Sequence, residues 1–172
     1  MSFAWPDLVI NLVLAGVLAL STAADLRWRR IPNALTFPAF GAGILLNGVF
    51  FGGEGLFSSA SGGALGLGML LPLFFLRGMG AGDVKLMAAI GALKGPEFVF
   101  FTCAWASIFG GGMALFGLIR SRKLGVALAH LYFFKFLPRP DGSFISAGRI
   151  PYAPAIAMGA LLTLEGVRWI GG

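Results

Sequence analysis

Two aspartates stand where an apolar stretch meets a polar one. Asp25 closes the stretch 8–24 within Ala23-Ala24-Asp25-Leu26-Arg27, and Asp83 opens the stretch 84–93 after Gly78-Met79-Gly80-Ala81-Gly82. Two carboxylates that share one site cannot both ionise, so one keeps a proton while its partner acts as a base. Such a pair activates water and protonates the leaving nitrogen of a peptide without a metal or a nucleophilic side chain. Their titrations would be coupled and would belong to the pair. Each residue alone has an ordinary explanation. Asp25 sits at a helix C-terminus, where the macrodipole does not favour it, and can be a hydrated interfacial side chain paired with Arg27 or Arg29. Asp83 can be a helix N-cap behind a flexible glycine turn. Alternatively, those glycines let a substrate approach the backbone closely.

Competing chemistries find little support. A metal site needs several ligands, and His130 is the single histidine. A Ser–His nucleophile would have to recruit that same residue, without a G-x-S-x-G motif. His130 reads better as an interfacial or structural side chain. Cys103 lies alone in an apolar run, so neither an internal disulfide nor a multi-cysteine zinc site is possible. No cofactor and no metal is expected.

The elements that must position the two aspartates follow from composition. The 172 residues are 58% hydrophobic and 12% charged, with a mean hydropathy of +0.87. Soluble domains carry roughly 25% charged residues, and a chain this size cannot cover so much apolar surface with its own polar groups. Lipid can. Apolar stretches run over 8–24, 35–51, 60–76, 84–93, 98–119 and 150–170. All but 84–93 reach the roughly 17–25 residues of a membrane crossing. That short stretch is either extended by its neighbours or a helix buried among the others.

Charge gives the orientation. The first stretch resembles a signal peptide only in its Ser21-Thr22-Ala23. Its basic residues follow the apolar run, whereas a signal peptide carries them before it, so the segment is expected to stay as a helix with its amino end outside. If all six stretches cross, the loops after the first, third and fifth hold every basic residue except Lys94 and Arg168. Such a bias marks the cytoplasmic side, and it puts Asp25 and Asp83 on that same face. The net charge of +6 is then a topology signal with a secondary attraction to anionic lipid headgroups. No nucleic-acid motif accompanies it.

The remaining features are architectural. Residues 124–137 are apolar but short, and read as an interfacial or re-entrant helix. Pro138, Pro140 and Asp141-Gly142 follow as a loop. The run Ser61-Gly62-Gly63-Ala64-Leu65-Gly66 has the small-xxx-small spacing of close helix packing, and Gly110-Gly111-Gly112 suggests close packing or a bend. The expected fold is one all-α membrane-embedded domain over 1–172, a polytopic bundle of about six transmembrane helices.

Taken together, these residues resemble the type IV prepilin peptidases, a branch of the G-x-G-D intramembrane aspartyl proteases. Gly80-Ala81-Gly82-Asp83 matches the G-x-G-D motif, and Val84-Lys85-Leu86 continues it in the prepilin peptidase form. Asp25 with Arg27-Trp28-Arg29-Arg30-Ile31-Pro32-Asn33 is similar to the family's first catalytic Asp and its basic Ile-Pro-Asn continuation. Ile150-Pro151-Tyr152-Ala153-Pro154 resembles its Pro-aromatic-Gly-Pro segment, with Ala153 where Gly is more usual. Presenilin-type proteases share the G-x-G-D, but they usually carry Tyr where this chain has Ala24.

The resemblance implies an aspartic endopeptidase of the cell membrane that removes leaders from prepilin-like protein substrates at the cytoplasmic face. Asp25 and Asp83 would be the catalytic pair. Gly78, Gly80 and Gly82 would shape the backbone around the scissile bond, with Pro151 and Tyr152 also facing substrate. Arg27 and Lys85 would either orient substrate carboxylates or anchor the basic face. Larger members of the family also methylate the new amino terminus and carry a four-cysteine insertion. The short peptidase-only form, associated with Flp/tight-adherence pili or archaeal preflagellins, is the better match. Two other readings of the same aspartates stay open: relay sites of a small proton-coupled carrier or channel, and parts of a noncatalytic pilus-assembly scaffold.

Overall fold

The computed structural model describes residues 5–75, 79–120 and 152–170. Five helices follow in order: α1 Trp5–Trp28, α2 Asn33–Phe75, α3 Ala81–Lys94, α4 Pro96–Arg120 and α5 Ala153–Ile170, with no strand among the described residues. The expected all-α membrane bundle is what forms. Residues 124–137 and the 138–142 loop lie outside the described residues.

The second helix is a hairpin. Gly52 takes φ 62° and ψ −138°, a backbone that breaks the helix and that side-chain-bearing residues rarely adopt. The arms on either side, 33–51 and 53–75, lie against each other. Gly55 abuts the Asn47 carbonyl, a Cβ on Gly63 would come within 2.7 Å of the Phe40 ring, and Ser59 Oγ donates to the Gly43 carbonyl at 3.1 Å. These arms correspond to the apolar stretches 35–51 and 60–76, so the described residues form six helical rods, two of them from α2. By length and hydropathy, α1, α2 and the Pro96–Gly117 part of α4 can cross a membrane. Their outward side chains, among them Leu12, Leu45, Val49, Phe57, Ile108 and Phe116, suit lipid.

The short stretch becomes α3. Its 14 residues extend about 21 Å, less than a hydrocarbon core of roughly 30 Å. From Val84 to Leu93 every side chain is buried except Lys85. Helix α3 is therefore the core of the bundle, and glycines on α2 let it come close. Gly62 and Gly91 meet backbone to backbone, while Cβ atoms on Gly66 and Gly43 would fall within 2.5 Å of the Met87 carbonyl oxygen and 2.6 Å of the Ala92 carbonyl carbon. The small-xxx-small spacing of Gly62 and Gly66 is thus the α2–α3 contact.

Both ends of α3 are tied down. At the Lys94 end, Asn47 Nδ2 donates to the carbonyls of Gly43, Ala92 and Leu93 at 2.9, 3.2 and 3.1 Å. Ser59 Oγ also reaches the Ala92 carbonyl, at 2.5 Å. The Ala92 and Leu93 carbonyls belong to the last turn of α3, where no helical amide follows to satisfy them. Gly95 then turns the chain with φ 85° and donates to the Gly91 carbonyl at 2.7 Å, and α4 begins at once. Asp7, near the start of α1, is close enough for its charge to act on Lys94. Helices α1 and α3 therefore run antiparallel, which brings the end of α1 to the start of α3. On the far side, α4 meets α5 through Gly159, which abuts the Thr102 carbonyl, and through a Thr102–Thr163 hydroxyl pair at 3.4 Å.

Candidate active site

The two sequence-predicted aspartates are brought together at that end of the bundle. Asp25 lies in the last turn of α1 and is 6% exposed; Asp83 lies in the first turn of α3 and is 8% exposed. Asp25 is near enough for its charge to repel that of Asp83. Each carboxylate is held by a backbone amide at the start of a helix. Asp83 Oδ2 accepts from Gly80 N–H at 3.1 Å, and Asp25 Oδ2 accepts from Ala153 N–H at 3.0 Å. The latter contact spans 128 positions of sequence and ties the end of α1 to the start of α5. Amides at a helix start have no helical acceptor and carry the positive end of the macrodipole, so a carboxylate is a fitting partner. The backbone amide of Asp83 itself is a second donor to the Asp83 carboxylate.

The local chain explains both placements. Gly80 is the N-cap of α3, and Asp83 occupies the third helical position, reaching back to the cap amide. The expectation of Asp83 as the cap itself is thus shifted by three residues. At Asp25, the carbonyl accepts Arg29 N–H at 2.8 Å, and Arg29 ends α1 with φ 50°. The pairing with Arg27 or Arg29 considered from sequence does not form. The Arg27 guanidinium lies 5.8 Å above the Trp28 ring, and both side chains are exposed.

The other predicted residues separate. Gly80 is exposed beside Asp83. Gly82 instead packs on the α1–α2 connection, where an added Cβ would lie 3.0 Å from Ile31 Cβ and 3.4 Å from Ile31 N and O. Lys85 points away from the aspartates: its Nζ donates to Asn33 Oδ1 at 2.9 Å and sits 5.0 Å from the centre of the Phe37 ring. Tyr152 is half-buried just before α5. Its ring fills the space at Gly110, where a Cβ would fall 2.7 Å from Cε1. A phenol is protonated near neutral pH, so the Tyr152 hydroxyl can donate. Gly110, but neither Gly111 nor Gly112, has this close neighbour. Gly78 and Pro151 lie outside the described residues. Among the described residues no three His, Cys, Asp or Glu side chains gather into a metal-binding group.

Three participants escaped the sequence reading. Asn33 and Ile31 were visible only as members of the Ile-Pro-Asn motif, and the Ala153 amide is a backbone group with no side-chain signature.

Fold and site together define a polytopic helical membrane protein with two buried carboxylates converging at one end of its bundle. The family model described as the type IV leader peptidase family matches residues 12–115, a segment that contains both aspartates. The chain belongs to that family. It is 34% identical over 140 residues to a prepilin leader peptidase/N-methyltransferase of Burkholderia pseudomallei strain 1026b, covering 78% of this chain and 42% of that protein. A protein of the same description from Stutzerimonas stutzeri is 32% identical over 114 residues, covering 63% and 39% of the two chains. One from Escherichia coli K12 is 26% identical over 161 residues, covering 90% and 61%. The chain thus spans about two-fifths of the length of the first two relatives. No solved structure matches it.

Proposed function

We propose that this chain is an intramembrane aspartyl endopeptidase that cleaves the leader of prepilin-like substrates at the cytoplasmic face of the cell membrane. The observation that carries this reading is the convergence of Asp25 and Asp83 from two different helices, both buried, each engaged by the backbone amide of a helix start. In this mechanism the two carboxylates hold one proton between them. The ionised partner takes a proton from water as that water attacks the scissile carbonyl. The protonated partner then delivers its proton to the leaving nitrogen, and the peptide bond breaks. No covalent enzyme intermediate forms.

The substrate's apolar helix lies among the bundle helices, with its leader on the basic side. Exposed Gly80 leaves room for the substrate backbone, and Tyr152, at the start of α5 next to the Ala153 amide, offers a hydroxyl donor. The relatives' names join peptidase and N-methyltransferase. We assign only the peptidase here.

The test is cleavage by the purified chain in liposomes, given a synthetic peptide with a leader and the start of an apolar helix. The expected product is a single shortened peptide, formed at a rate with a bell-shaped pH profile whose two limbs belong to the pair. An intact peptide, together with proton-coupled flux across the same liposomes, would favour the carrier reading instead.

A further inference from the structure

Asp25 and Asp83 sit on separate helices, so their spacing depends on what joins α1 to α3. The chain leaves Asp25, turns through Arg29–Pro32, and enters α2 at Asn33. Two contacts return from there to the start of α3. Gly82, next to Asp83, presses on Ile31. Lys85, two residues beyond Asp83, donates to the Asn33 side chain at 2.9 Å while its ammonium lies over Phe37. Backbone from Asp25 to Asn33, the side-chain bond, and backbone from Lys85 to Asp83 make a closed ring containing both carboxylates.

We propose that Asn33 and Lys85 are positioning residues that fix the level of Asp83 against Asp25, and that Lys85 does not bind substrate. This rests on the peptidase reading above. The Lys85 ammonium is already committed to an amide oxygen and an aromatic face, both supplied by α2, and that arrangement suits a latch better than a substrate clamp. The bond is too exposed to matter much for stability, since exposed polar pairs contribute little. Its effect falls on geometry, where a displacement of about 1 Å can cost about a hundredfold in rate.

The experiment is a double-mutant cycle on the reconstituted chain. Asn33→Ala and Lys85→Met, the latter keeping an apolar stem over Phe37, are each expected to lower kcat about tenfold with KM within about twofold. The double variant should be no worse than either single one, because both remove the same bond. Asn33→Asp, which keeps an acceptor oxygen, should recover most of kcat. Strictly multiplicative losses, no loss at all, or a rise in KM confined to Lys85→Met would overturn the proposal; the last would make Lys85 a substrate ligand. A readout independent of cleavage separates this from failure of the peptidase reading. With Cys103→Ala, an Asp25→Cys/Asp83→Cys chain should form its disulfide several-fold more slowly when Asn33→Ala is added. An unchanged rate would refute the latch whether or not any peptide is cut.

Discussion

The two ends of α3 are secured by opposite means. At the Lys94 end, the neutral side chains of Asn47 and Ser59 donate to carbonyls of the last turn, and these donors are spent on protein. At the Asp83 end, the acceptors are ionisable carboxylates, which take the amides of Gly80 and Ala153. Neutral donors pair the carbonyls of a helix end and have no proton to exchange. Carboxylates satisfy helix starts and retain capacity for a proton or a water. The same requirement, pairing the orphan groups of a helix terminus away from solvent, thus yields a structural clamp at one end and a reactive pair at the other.

The contrast can be broken most severely through the contact that holds α3 in place. Gly91→Leu would drive a side chain into the backbone at Gly62, where no rotamer escapes. Monodisperse protein recovered in detergent is expected to fall at least about tenfold. Asn47→Leu removes the clamp and strands carbonyls at the Lys94 end. It should destabilise by about 2–4 kcal/mol in a reversible unfolding assay, yet change cleavage per folded molecule less than about threefold. Asp25→Ala should do the opposite, abolishing cleavage while costing about 1 kcal/mol for the lost amide partner. Thr163→Val tests the α4–α5 seam, since it removes the long 3.4 Å bond from Thr102 and the 2.9 Å bond that Thr163 Oγ1 donates to the Gly159 carbonyl. Its effect should be about 1 kcal/mol in the same assay.

Much of this arrangement can be read before any coordinates. Apolar length marks the rods, the spacing of Gly62 and Gly66 marks a close helix contact without naming its partner, and the length of 84–93 leaves a buried helix and an extended one both open. The two aspartates are legible because ionisable residues are scarce in such a chain and the basic residues assign them to one face. What sequence does not carry is the partner of each group. Asp25 finds Ala153 across 128 positions, and Lys85 finds Asn33 across 52. No periodicity encodes such pairings, and one partner is a backbone amide that every residue but proline possesses. Nor does an apolar helix announce whether its sides meet lipid or protein. For α3 that distinction comes only from the glycines packed around it.

The idea of a shared proton is tested most directly by leader cleavage with the isosteric variants Asp25→Asn and Asp83→Asn, singly and together, at matched levels of inserted, folded protein. An asparagine keeps an acceptor for the Gly80 or Ala153 amide but cannot exchange the proton. Each single variant is predicted to fall to the uncatalysed background, with the double variant no lower, because the pair acts as one unit. Retention of more than about a tenth of the activity by either single variant would contradict the account.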